Sequence, residues 1–73
     1  MDRATLLDLS ARAEQHVVIG RRQIDSQYRI IAKLESEGHD TTAAIDLLKQ
    51  FIEAQETYER DRDRLMFKLA TAS

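Results

Sequence analysis

The sequence predicts an all-α fold, an antiparallel two-helix hairpin that dimerises into a four-helix bundle, and three observations predict it. The 73 residues contain no proline and only two glycines, so few positions can stop a helix. Apolar residues recur at alternating three- and four-residue steps on both sides of one break. The break itself is Glu37-Gly38-His39-Asp40-Thr41-Thr42. There Gly38 suits the left-handed position after a helix, and Asp40 suits a cap that accepts backbone N–H groups of the next one.

These signals divide a single domain, residues 1–73, into a helix over about 4–37, a turn at 38–40 and a second helix over about 41–71. Each helix is about 45 to 50 Å long at roughly 1.5 Å per residue. At the start, Thr5-Leu6-Leu7-Asp8 has the spacing of a capping box, with Asp2 as the alternative cap. A short turn between long helices forces them antiparallel.

In the first helix the apolar seam runs through Leu6, Leu9, Ala13, Val17, Gly20, Ile24, Ile31 and Leu34, with Gln27 filling the gap before Ile31. In the second it runs through Ala44, Leu48, Phe51, Gln55, Tyr58, Arg62, Leu65 and Leu69. Ile19 and Ile30 widen the first stripe, and Ile45, Leu47, Ile52 and Met66 widen the second. At about 100° per residue each apolar arc covers roughly half the circumference, more than a two-stranded seam needs. A helix in a bundle touches two neighbours, so the arcs predict a homodimer of hairpins with two-fold symmetry. Size points the same way, because a chain this short builds a marginal core and, lacking cysteine, has no disulfide or thiolate metal site to reinforce it.

Residues equidistant from the turn pair Leu34 with Ala44, Gly20 with Tyr58, Ala13 with Leu65 and Leu9 with Leu69, so that small faces large. Gly20 weakens a helix interior by about 1 kcal/mol relative to alanine, and its predicted role is to admit the Tyr58 ring or a close neighbour. The same pairing sets Gln23 by Gln55, Gln27 by Phe51 and His16 by Arg62. The glutamines read either as register-setting polar layers or as side chains whose amides reach the rim. For Arg62 the candidate partners are Glu59 one turn back and Glu14 across the hairpin, or else water over the bundle edge. The run Glu59-Arg60-Asp61-Arg62-Asp63-Arg64, with Glu56–Arg60, Asp8–Arg12 and Asp25–Arg29, reads as solvated faces laced by weak ion pairs.

Chemistry is sparse. There is no glycine-rich phosphate loop, HExxH, EF-hand loop or nucleophile elbow, so the sequence predicts no catalytic residue, no cofactor and no metal site. His39 lies in the turn, where it caps the last carbonyls of the first helix or flanks the Asp40 cap. His16, on the first helix of a dimeric hairpin, has the placement of the phospho-accepting histidine of sensor kinases. In those domains an acid follows the histidine, whereas Val17 follows here. Arg21, Arg22, Arg29 and Lys33 make a basic strip on the first helix, but Asp25, Glu35 and Glu37 interrupt it. Eleven bases against thirteen acids, a net charge of −2, weigh against a polyanion binder. Tyr28, Phe51, Tyr58 and Phe67, the residues able to stack on bases, read mostly as seam residues. The longest apolar runs, of the Val17-Val18-Ile19 kind, are far too short for a membrane span or signal peptide, which predicts a cytoplasmic protein with no membrane partner.

Glu14-Gln15-His16-Val17 with Gly20, Leu34-Glu35 leading into Gly38-His39-Asp40-Thr41, then Leu47-Leu48, Phe51, Gln55 and Asp63-Arg64-Leu65 carry a resemblance. Over nearly its whole length the chain resembles a group of small bacterial helical-hairpin proteins of unknown function. The resemblance implies a hairpin fold and no activity. Ala43 departs from that pattern, which has an acid completing the cap of the second helix. The function expected is therefore a non-enzymatic helical interaction and oligomerisation module with a protein partner. A nucleic-acid-associated dimer and a phosphotransfer bundle using His16 are the alternatives. The residues expected to build its core are Val17, Gly20, Ile24, Ile31, Leu34, Leu48, Phe51, Ile52, Tyr58, Leu65 and Leu69, with Gly38 and Asp40 at the turn.

Overall fold

The computed structural model describes residues 2–71, and among them it contains two α-helices packed side by side and no strand. Helix α1 spans Arg3–Ser36 and helix α2 spans Thr42–Thr71. The molecule is a rod of 57 × 14 × 13 Å with a radius of gyration of 16.6 Å. A compact chain of this length would have a radius of about 11 Å. Among the described residues no helix is long and apolar enough to cross a membrane.

Each helix end is satisfied by groups close in sequence. Asp2, in extended backbone, begins α1: its Oδ1 accepts the Thr5 backbone N–H at 2.7 Å and its carbonyl accepts that of Leu6 at 3.0 Å. Asp2 is therefore the cap, and Thr5 lies within the first turn it closes. At the other end the His39 N–H donates to the Leu34 carbonyl at 2.9 Å and the Gly38 N–H to the Glu35 carbonyl at 3.1 Å. These two bonds make a Schellman motif, and its pivot, Gly38, has φ +74°. A side chain there would cost about 1 to 2 kcal/mol in backbone strain.

Two residues later Asp40 opens α2. Its Oδ1 accepts the Thr42 backbone N–H at 3.0 Å and the Thr42 hydroxyl at 2.8 Å, while the Thr41 carbonyl accepts the Ile45 N–H at 2.9 Å. His39 serves the turn through its backbone, and its ring reaches Glu37 at 3.4 Å instead of the last carbonyls of α1. Both helices start or stop within a residue of the positions the capping signals indicate.

The seam is thin. Val17 is completely buried, and Leu6, Ala13, Gly20, Gln27, Ile31, Leu48 and Gln55 are buried with it. Ile24, Leu34, Phe51, Ile52, Tyr58, Leu65 and Leu69 are only half-buried. One neighbouring helix covers one side of each stripe, so residues at its margins keep contact with solvent.

The bonds Asp2 and Asp40 accept from the backbone N–H groups of Thr5 and Thr42 hold both carboxyls below their ordinary pKa of 3.8, and the same residues' hydroxyls add to the effect. A folded-state pKa below the unfolded one means that the stabilisation is complete above about pH 4 and is lost as the pH falls through the lower, folded value. Thermal melts followed by circular dichroism should show a falling Tm in that acid window. Asp40→Asn, which keeps an acceptor and removes the charge, should flatten the slope; a slope unchanged in Asp2→Asn/Asp40→Asn would place the acid sensitivity elsewhere.

Candidate functional site

Two buried polar residues, Gln27 and Gln55, settle how the helices interlock. Gln55, on α2, is buried and donates from Nε2 to the Val17 carbonyl of α1 at 2.8 Å. Gln27, buried on α1, donates from Nε2 to the Ala44 carbonyl of α2 at 2.8 Å. Each amide thus crosses the seam to the other helix's backbone, and each bond is fixed to one height along the rod. Neither reaches the rim. Gln23, paired by sequence with Gln55, is exposed, and Gln27 binds near the turn instead of lying by Phe51. Counting outward from Gly38 misplaces these heights because the connection is asymmetric, with a Schellman stop on one side and an aspartate-capped start on the other.

Gly20 makes room for the Gln55 amide. A β-carbon built on Gly20 would overlap Gln55 Oε1 and stand 2.9 Å from its Cδ, with Tyr58 Cδ2 at an ordinary 3.5 Å. The close neighbour Gly20 admits is therefore the glutamine, with the Tyr58 ring beside it. Gln55 Oε1 is buried and has no conventional hydrogen-bond partner. It lies where a side chain would leave Gly20. Ser10 Oγ, on α1 nearer its N-terminus, is also buried without a partner.

Towards that end lie the charged and aromatic residues. The His16 ring stacks on Tyr58 with centroids 5.2 Å apart and planes 19° from parallel. Arg62 is only partly exposed, at 23% of its side chain, and its guanidinium lies 3.8 Å from Glu14 across the hairpin and 3.1 Å from Asp63. His16 therefore takes Tyr58 as its partner and Arg62 takes two carboxylates. Asp63, adjacent in sequence, was not among the partners the helix spacing suggested, because neighbours one position apart normally diverge around the helix. Surface pairs form between Asp8 and Arg12 at 3.2 Å, Asp61 and Arg64 at 3.4 Å, and Glu56 and Arg60 at 3.9 Å. Asp25 and Arg29 do not pair. Among the described residues no three His, Asp or Glu side chains gather as ion ligands, and no cavity is present.

Several large apolar side chains are exposed. Leu7, Ile19, Tyr28, Ile30, Met66 and Phe67 are each at least 47% exposed, and Val18 and Leu47 follow at 38% and 40%. Of the four aromatic residues read mostly as seam residues, Phe51 and Tyr58, the two on the predicted seam, are half-buried, whereas Tyr28 and Phe67 are exposed. Isolated exposed side chains are common on folded proteins, and here eight large ones are exposed on a 73-residue rod. Comparison with known proteins found no matching family model, no matching curated protein and no matching solved structure.

Gly20→Ala gives a change of sign that isolates the glutamine lock. In the native background the new methyl displaces the Gln55 amide and breaks its bond to Val17, which should destabilise by about 1 to 2 kcal/mol after the gain in helix propensity. In a Gln55→Ala background the same change should stabilise by roughly 0.5 to 1 kcal/mol, since only the propensity gain is left. Urea denaturation of the four proteins measures both steps. Equal effects in the two backgrounds would mean that Gly20 has no coupling to Gln55.

Proposed function

We propose that the chain is a non-enzymatic helical interaction module, which dimerises into a four-helix bundle and presents its outer helix faces to another protein in the cytoplasm. The observation that carries this reading is the accessible surface of the single hairpin, 5500 Å². A folded monomer of 8.4 kDa exposes about 4,600 Å² by the usual scaling of area with mass, which leaves an excess of roughly 900 Å² per chain. Two chains covering that excess would bury roughly 1,800 Å², within the standard range for a specific protein complex.

The composition of the excess agrees with its size. Leu7, Tyr28 and Met66 share the flanking rows of the seam with the half-buried Ile45 and Ile52, so that covering this flank would extend the existing core instead of building a separate one. The near-neutral charge adds little long-range repulsion between copies. No chemistry or cofactor is needed for such a role, and the faces left outside the bundle carry the Asp, Glu and Arg pairs that keep it soluble.

Sedimentation equilibrium over a dilution series should give a mass near twice 8.4 kDa at micromolar concentration, with a Tm that rises with protein concentration. An 8.4 kDa particle that melts cooperatively at one Tm over the whole series would overturn the reading.

A further inference from the structure

Two rows of residues flank the seam on one broad side of the rod. On α1, Leu7, Glu14, Arg21 and Tyr28 each follow a seam residue by one position: Leu6, Ala13, Gly20 and Gln27. On α2, Ile45, Ile52, Glu59 and Met66 follow Ala44, Phe51, Tyr58 and Leu65 in the same way. Antiparallel helices are related by a two-fold direction normal to the hairpin's broad side, so equivalent rows emerge on the same side. The Glu14–Arg62 contact at 3.8 Å agrees, since it places Glu14 beside the α2 margin. The α1 row and Met66 are exposed, and Ile45, Ile52 and Glu59 are half-buried.

Read from either end, the α1 row is apolar, charged, charged, apolar, and its two charges are opposite. Laid antiparallel on a second copy, Leu7 meets Tyr28 of the other chain and Glu14 meets Arg21, each twice. The α2 row laid antiparallel on itself brings Ile45 to Met66 and Ile52 to the stem of Glu59. The centre of the first pairing falls between Val17 and Val18, and that of the second between Gln55 and Glu56. These two centres stand at one height on the rod, because the Gln55 amide is bonded to the Val17 carbonyl at 2.8 Å. One two-fold axis, perpendicular to the helices at that height, therefore satisfies both rows together.

Resting on the self-association proposed above, we infer that a second copy of this chain docks on this side with its turn at the opposite end of the bundle, held in register by two Glu14–Arg21 ion pairs between chains. The other two-fold arrangement, with both turns at one end, sets Glu14 against Glu59 twice, which opposes like charges, and leaves Arg21 beside Ile52 without an acid partner.

The chain has no cysteine, so a single His39→Cys substitution in the exposed turn carries one nitroxide label per chain. Pulsed electron spin resonance should then give a distance of about 60 Å, twice the helical rise from the axis to the turn. A distance below about 30 Å would overturn the orientation and leave self-association standing; a monomer would overturn both. The ion pairs are tested by Arg21→Glu and by Glu14→Arg, whose helicity is checked by circular dichroism. Each alone should weaken dimerisation at least about tenfold, and an equimolar mixture should form the heterodimer with native-like affinity. Arg62 keeps its closer partner Asp63 in both variants. Undiminished dimerisation of Arg21→Glu would overturn the proposed contact.

Discussion

A pair of helices has one seam, and that constraint governs everything else about this molecule. Each helix carries an apolar arc of about half its circumference, but a single neighbour covers only the middle of the arc. The consequence is visible in the burial pattern: Val17 is wholly enclosed, whereas Ile24, Phe51, Ile52 and Leu65 are half-covered and Leu7, Tyr28 and Met66 are open. Among the described residues there is no third element to close the flanks.

Within the seam, apolar contact alone would leave the helices free to slide, since leucine and isoleucine pack almost equally well one heptad along. The two buried glutamines remove that freedom. Each gives a directional bond to a backbone carbonyl of the other helix, and a slipped register would leave buried amides without partners, at a cost of about 1 to 3 kcal/mol each. Gly20 belongs to the same device, because a β-carbon there would displace the Gln55 amide from the place it occupies against α1. A helix-weakening glycine at mid-helix is thereby explained by what it accommodates, and the wider packing follows from the height that Gln55 sets.

The ends of the helices were legible from local chemistry, since a cap is a bond between residues two to five apart. Gly38, lacking a β-carbon, is an αL pivot, and the Asp40 carboxylate is an N–H acceptor. Partners across the seam were much less legible. His16 and Arg62 were paired by counting from the turn, yet His16 stacks on Tyr58 and Arg62 binds Glu14 and Asp63. The count fails because a few ångströms of asymmetry in the connection shift every distant pair, and long side chains such as Gln and Arg choose among several neighbours within that distance.

Sequence alone determined that the protein is helical, where it turns, and which stripe of each helix is apolar, because those properties depend on spacing and on contacts within one or two helical turns. Tertiary structure alone decided which carbonyls the buried amides bind and which side chain lies against Gly20. Those outcomes depend on the relative height and rotation of two rods, which are quantities that a one-dimensional periodicity leaves undefined.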